Sequence, residues 1–299
     1  MSVSGSPALD GADGTGTTPS RLVRAEFMKL RTTSSWWLFL GGFVLFTAVA
    51  LLNNWFSQHY VLYPQQDLAD RAQALAQAAQ ARTPAGVAAI AASLMTSGEF
   101  LCVLIVMLLG AHVATSEFAQ QTAVATFLTV PRRERVVAAK LAAAACSAVL
   151  LWLIATAMEA ATTLAFLHAH HLSTSLTGWA VVRPVLASLL AFVIWAVFGV
   201  GLGALLRDQV VSIIVGIGVY AGGFAVVELI FHGIYDLARQ GWILGLPVFA
   251  PAVASQVMVT AGRAFPHAPP QWVGAVILTA YALALAVAGT AVTRRRDVT

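Results

Sequence analysis

The 299-residue chain is 59% hydrophobic and only 10% charged, and its mean hydropathy is +0.80. These values exclude a soluble globular domain and indicate an all-α, polytopic membrane protein. The formal net charge is +4. The basic residues stand at the ends of apolar runs, where membrane topology and anionic headgroups account for them. We therefore expect lipid contacts and no nucleic-acid partner.

The segment before the first apolar run has an amphipathic pattern over residues 20–35. Phe27 and Leu30 share one helical face, which Arg24 and Arg31 flank. This pattern predicts an interface helix that lies along the membrane surface. A basic anchor for the first span and a docking surface for a partner explain the pattern equally well.

Six apolar runs are long enough to cross a bilayer, which takes about 20 helical residues. Most lysines and arginines fall on one side if the chain crosses six times, and this predicts that both termini are cytoplasmic. The predicted spans are residues 36–56, 97–115, 141–166, 185–206, 210–231 and 272–292.

These spans define one transmembrane domain over residues 20–296. Residues 1–19 are rich in Gly, Ser, Thr and Pro, so we expect a disordered cytoplasmic tail there, and residues 297–299 form a second short tail. The apolar segment 242–259 contains Pro247 and Pro251, which favours a re-entrant or external segment over a seventh span.

The predicted outer loop, residues 57–96, contains a helical pattern between Pro64 and Pro84. Leu68, Leu75 and the alanines around them recur at helical spacing, which predicts an external helix. This helix would either cap the entrance of a pore or pack on the outer surface. The sequence favours neither.

Small residues mark close helix packing in the fourth and fifth predicted spans. Gly199, Gly201 and Gly203 lie in the fourth, and Gly218 and Gly222 lie in the fifth. Such spacing lets helix backbones approach closely in lipid. A nucleotide-binding loop would need a preceding strand. The contacts lie either within the chain or between two copies.

No pattern of catalytic, metal-binding or nucleotide-binding residues is found in the sequence. The chain lacks a Walker A sequence, HExxH and GxSxG, so we expect neither ATP hydrolysis nor a cofactor on this chain. His168, His170 and His171 are predicted to be solvated interface histidines, because a short histidine tract alone is weak support for a metal site.

Three acidic residues fall inside predicted spans, namely Glu99, Glu159 and Glu228. At about 1.5 Å per residue, the latter two lie roughly 27 Å from the inner boundary, and Glu99 opens the second span from the outside. They are therefore expected to meet near the outer leaflet. They either anchor the spans at the interface or form an external vestibule or gate.

The chain resembles the permease subunits of ABC-2 type ABC transporters of the actinobacterial kind. Two stretches carry the resemblance: RAEFMKLRTTSSWW over residues 24–37 and TSEFAQQTAVATFLTVPRRERVVAAK over residues 115–140. The order of the spans and the broken apolar segment before the last one extend it over most of the chain.

The resemblance implies an ATP-driven exporter in the bacterial plasma membrane that moves an amphipathic small molecule, peptide or lipid outward. A separate cytoplasmic ATPase would bind ATP and Mg²⁺, and a second permease copy would complete a homodimer. A sensing or immunity complex with little transport is the alternative within the family. A secondary transporter is the alternative outside it.

The resemblance also implies a coupling helix over residues 116–128, which Pro131 ends. Glu117 is expected in its first turn, where a carboxylate suits the helix dipole. The interface helix would rest on the ATPase through Arg24, Phe27, Leu30 and Arg31. The candidate coupling residues are Ser116, Glu117, Phe118, Gln121, Thr122, Arg132 and Arg133; the arginines among them contact either the ATPase or lipid phosphates.

Overall fold

The computed structural model is helical and contains no strand in the residues that it describes. Those residues are 24, 27–28, 35–64, 71–119, 133–174, 176–223, 229–231, 233–234, 241–260, 264–265 and 267–295. The α-helices are α1 (Ser35–Leu62), α2 (Arg71–Ala81), α3 (Pro84–Leu94), α4 (Glu99–Ala119), α5 (Arg133–Ala169), α6 (Trp179–Leu206), α7 (Gln209–Ile217), α8 (Pro251–Val259) and α9 (Gln271–Arg295). A π-helical turn, Gly218–Gly222, extends α7, and a 3-10 helix, Gly241–Phe249, precedes α8.

Five helical stretches of the described chain are long and apolar enough to cross a membrane. They are Ser35–Leu62, Pro84–Ser116, Val136–Ala169, Trp179–Leu206 and Gln271–Thr293. The predicted all-α polytopic membrane fold is thus confirmed. Each stretch contains or overlaps one predicted span. The remaining predicted span, residues 210–231, is helical through Gly222, but residues 224–228 lie outside the described part.

The connection between the first two spans holds more helix than the sequence indicates. Helix α1 continues to Leu62, and α2 covers part of the predicted external helix. Helix α3 was not predicted. It begins after Thr83, whose hydroxyl accepts a hydrogen bond from the Gly86 amide at 3.1 Å, with Pro84 in its first turn, an arrangement typical of helix starts.

Helix α6 is the central element of the bundle and packs most extensively against α4 and α9. A Cβ atom at Gly199 would collide with the backbone of Met107, and one at Gly203 with the backbone of Ala111. Only glycine permits this approach between α6 and α4. The predicted packing role is therefore confirmed within the chain for this part of α6.

The opposite face of α6 is equally close to α9. A Cβ atom at Gly201 would collide with the backbone of Leu285. By contrast, a Cβ atom at Gly218 or Gly222 would meet no described atom within 4 Å. The predicted packing of the second glycine pair is therefore not found in the described chain.

The segment before the last span is broken as predicted. The 3-10 helix ends at Phe249, and α8 begins at Pro251, whose missing amide hydrogen is tolerated in a first turn. Most side chains of α8 are buried, and the helix packs against α6 and α9. Helix α8 therefore belongs to the interior of the bundle.

Candidate functional site

Two of the three predicted intramembrane acids meet inside the bundle. Glu99 is the first residue of α4 and Glu159 lies in the second half of α5. Their side chains are 5% and 4% exposed. Buried carboxyl groups need hydrogen-bond partners because the loss of water is costly. Glu228 lies outside the described residues, so its predicted place beside them stays a prediction.

Glu159 is held by the backbone of the turn that precedes α4. Its Oε1 accepts a hydrogen bond of 3.0 Å from the amide of Gly98. A Cβ atom at position 98 would lie 3.2 Å from both this oxygen and the Cys102 Sγ, so glycine lets the carboxyl group reach the amide. Glu159 thereby acts as an N-terminal cap for α4, although it belongs to α5.

Glu99 is held by a side chain from α8. The Ser255 hydroxyl donates to Glu99 Oε1 at 2.5 Å, and the same hydroxyl accepts a hydrogen bond of 3.1 Å from Trp195 Nε1 on α6. All three residues are buried. These two hydrogen bonds, which we call the relay at Glu99, join the first residue of α4 to α6 and α8. They give the carboxyl group, the hydroxyl group and the indole N–H a partner each.

The π-helical turn also contacts the first turn of α4. The Tyr220 hydroxyl donates to the Phe100 carbonyl oxygen, and the two rings are tilted with centroids 5.4 Å apart. The Tyr220 ring also packs edge-on against Trp195 at 5.0 Å. The start of α4 is thus surrounded by α5, α6, α8 and the turn after α7.

A cavity of about 750 Å³ opens beside Glu99. Its walls come from α1, α3, α4 and α8. Glu99 is the only charged residue among the described residues that line it. Those residues are Val49, Ala50, Asn53, Asn54, Ala89, Ser93, Thr96, Ser97, Glu99, Phe100, Leu101, Gln256, Val259, Thr260 and Ala264.

One wall of the cavity is a polar ladder between α1 and α3. The Asn54 amide nitrogen donates to the Ser93 carbonyl oxygen at 2.9 Å and to the Ser97 hydroxyl at 2.7 Å. Gln58 donates to Asn54 Oδ1 at 3.1 Å. The ladder fixes α1 against α3 and supplies amide and hydroxyl groups to the cavity.

The predicted interface histidines form a different arrangement. His168 and His171 are exposed, as predicted. His170 pairs with His59 of α1 through a 3.0 Å contact between Nε2 and Nδ1, and it stacks on Phe166 at 4.1 Å. In the described residues, no group of three His, Cys, Asp or Glu side chains is placed to hold a metal ion.

The predicted coupling segment lies at the other end of α4. Ser116 and Glu117 continue this helix, which is described as far as Ala119. Glu117 thus follows the preceding turns of α4 without a break. The predicted coupling helix over residues 116–128 stays a prediction, because residues 120–132 lie outside the described part. Phe118 follows in the same helix, and Arg133 is the first described residue of α5.

The remaining predicted coupling and interface residues are only partly described. Arg24 is exposed and helical, and Phe27 is half-buried and helical. Leu30, Arg31, Gln121, Thr122 and Arg132 lie outside the described residues.

Buried polar contacts tie the neighbouring helices to this end of α4, which we call the Ser116 end. Lys140 of α5 is buried, and its Nζ donates to the Val113 carbonyl oxygen at 3.0 Å. His112 Nε2 lies 3.1 Å from the Ser35 hydroxyl at the start of α1. The first turn of α1 and the second turn of α5 are thus fastened to α4, so these helices are held together near the predicted coupling segment.

A scan against known protein families finds one that matches nearly the whole chain. Residues 21–298 match the family described as ABC-2 family transporter protein. The chain belongs to this ABC-2 transporter family. The resemblance inferred from the two sequence stretches is thus confirmed, and this ABC-2 family chain is a multi-pass membrane protein with the character of a transporter permease. No curated protein matches the chain.

Sequence reasoning found Glu99 and Glu159 in this ABC-2 family chain but missed their partners. Ser255 lies in a segment interpreted as re-entrant, and its contact with Glu99 spans 156 residues. The pair Asn53 and Asn54 was a usable signal, since adjacent amides in an apolar run favour an interior or water-filled surface.

Proposed function

We propose that this chain is the membrane-spanning permease subunit of an ATP-driven exporter in the bacterial plasma membrane. Both termini face the cytoplasm, where a separate ABC ATPase binds ATP and Mg²⁺. A second copy of the permease completes a homodimer. The cargo is an amphipathic small molecule, peptide or lipid that leaves the cell.

The observation that carries this proposal is the continuity of α4. The helix runs for 21 residues from Glu99, beside the cavity, to Ala119, inside the predicted coupling segment. At 1.5 Å per residue it is about 30 Å long, close to the thickness of a bilayer core. A push on the Ser116 end therefore displaces the cavity end as a rigid body.

In this mechanism, ATP draws two ATPase subunits together, and the coupling segment transmits the movement to α4. Because Lys140 and Ser35 fasten α5 and α1 to the Ser116 end, these helices move with it. The cavity walls on α1 and α4 then change position relative to α8. ATP shifts the population toward the outward-open state through its higher affinity for the closed ATPase dimer.

The proposal is tested by reconstituting the permease with its cognate ATPase in liposomes. We expect Glu117→Lys to lower ATP-dependent efflux by about tenfold or more, because it reverses a charge at the predicted ATPase contact, worth about 1.4 kcal/mol or more. Arg183→Glu, an exposed charge reversal at the start of α6, is the control and should leave efflux unchanged.

The same assay separates the alternatives. Unchanged efflux in Glu117→Lys would contradict the coupling role of this segment. ATP hydrolysis that responds to a bound molecule without any efflux would favour the sensing or immunity complex. Efflux that proceeds without the ATPase would favour a secondary transporter.

A further inference from the structure

The cavity beside Glu99 is lined by both apolar and polar side chains, although it lies within a membrane domain. Apolar side chains such as Val49, Leu101 and Val259 alternate with amide and hydroxyl side chains, and one carboxyl group stands among them. A volume of about 750 Å³ lies within the range of sites that hold drug-sized ligands. The cavity is thus large enough for an amphipathic molecule and presents it with both kinds of surface.

The charge in the cavity has one sign. Among the described residues that line it, Glu99 is the only acidic one, and none is a lysine, arginine or histidine. Ser255 donates to Oε1 of this carboxyl group, whereas Oε2 makes no hydrogen bond within the described part of the chain. An anionic ligand would be repelled here. A cationic ligand would complete the bonding of Glu99 and neutralise its charge in a poorly hydrated site.

The lining also distinguishes between types of cation. Quaternary ammonium groups are usually held by several aromatic rings, and Phe100 is the only aromatic residue among those described in the lining. Asn53, Gln256 and Thr260 instead supply oxygen atoms that accept hydrogen bonds. These acceptors suit an ammonium group that carries N–H bonds.

We propose that the cavity binds a cationic amphipath whose charged group is a protonated amine. The ammonium group donates to the carboxyl group of Glu99 and to neighbouring amide or hydroxyl oxygens, and the apolar body lies along Val49, Leu101 and Val259. That this ligand is the cargo rests on the proposed transport function. The binding itself requires no ATPase.

The test uses the full chain in nanodiscs of phosphatidylcholine, without the ATPase, and four probes of one shape. They are 4-phenylbutylamine, its N,N,N-trimethyl derivative, 4-phenylbutan-1-ol and 4-phenylbutyrate. Binding is measured by equilibrium dialysis against empty nanodiscs. We expect the amine to bind at least about tenfold more tightly than each of the other three, because it alone pairs its N–H groups with Glu99.

Variants then locate the site. Glu99→Gln keeps an oxygen that accepts from Ser255 and removes the charge, so the amine should lose about tenfold in affinity while the alcohol changes less than about threefold. Asp208→Asn is the matched control. It also replaces a carboxyl group by an amide, but at the exposed N-cap of α7, and it should bind the amine as the wild type does.

A measurement on the wild-type chain covers the case in which Glu99→Gln does not fold. Dicyclohexylcarbodiimide modifies carboxyl groups in apolar surroundings, and mass spectrometry quantifies the product at Glu99. The ligand here is N,N-dimethyl-4-phenylbutylamine, because its protonated form keeps an N–H bond and a tertiary amine forms no amide with the activated carboxyl group. This amine should protect Glu99 from modification, and the alcohol should not.

Equal affinity for the amine and the alcohol, tighter binding of the quaternary compound, or unprotected Glu99 at saturating amine would each overturn the proposal. These results would leave ATPase coupling untouched. Conversely, amine binding to a chain that shows no ATP-dependent efflux would overturn the transport function and leave the binding site standing.

Discussion

The middle of α4 and its first turn differ in chemistry. Around Met107 and Ala111 the helix meets α6 with backbone against backbone, and the surrounding side chains are apolar and fully buried. Around Glu99 the same helix meets hydroxyl, amide and carboxyl groups, and a cavity that α1 and α8 also line opens beside it. Close packing resists deformation, whereas a polar cavity can be rearranged by exchanging hydrogen bonds. The comparison indicates a rigid middle that positions an adaptable end.

The largest effect is expected where the packing is closest. Gly199→Leu places a side chain against the backbone of Met107, and we expect the free energy of unfolding in detergent to fall by about 3 kcal/mol or more. Gly218→Leu makes the same substitution where no described atom lies within 4 Å; it should change stability by less than about 1 kcal/mol. Equal effects would show that the seam between α4 and α6 is not the rigid part.

A smaller effect is expected from the cap of α4. Glu159→Ala leaves the buried Gly98 amide without its acceptor, so we expect a loss of roughly 2 to 3 kcal/mol in the free energy of unfolding. Glu159→Gln keeps an accepting oxygen and should lose less than about 1 kcal/mol. Thermal unfolding followed by circular dichroism measures both. A glutamine variant as unstable as the alanine variant would mean that the charge, and not the hydrogen bond, stabilises the turn.

The smallest effect compares two serines that accept from tryptophan. Ser255→Ala deprives both Glu99 and Trp195 of a partner, and about 2 kcal/mol should be lost. Ser188→Ala deprives one half-buried side chain, Trp152, whose Nε1 lies 3.0 Å from the Ser188 hydroxyl, and removes a bond to the Val185 carbonyl oxygen of the same helix. About 1 kcal/mol should be lost. Unfolding in detergent measures both variants. If the Ser188 variant were the less stable of the two, the hydrogen bonds of Ser255 to Glu99 and Trp195 would not stabilise the fold as expected.

The sequence predicts the membrane class and most of the long helices correctly, because hydropathy over about 20 residues is a strong signal. It also predicts correctly that Glu99 and Glu159 meet, since counting residues along straight helices gives their depth. The glycine contacts of α6 could be predicted from the same regular helix geometry.

The rest of the site depends on contacts that no local pattern contains. Helix α3 was missed because its 11 residues are too few to cross a bilayer, although its alanines favour a helix. Ser255 is one serine among many, and only the folding of α8 into the interior brings it to Glu99. The predicted span over residues 97–115 is shorter than α4, which continues through Ala119, because a helix that emerges from a membrane has no reason to stop at the first polar residue.

The unbroken course of α4 also sets a rotational constraint. Each residue of an α-helix advances the chain by about 100°, so one residue inserted between Gly110 and Ser116 would turn the predicted coupling segment by that angle about the axis, with Glu99 still locked to Ser255. A substitution along this stretch leaves that angle unchanged, whereas a change of length does not. The number of residues between Glu99 and Glu117 therefore fixes the angle about the helix axis between the cavity end of α4 and the predicted coupling segment.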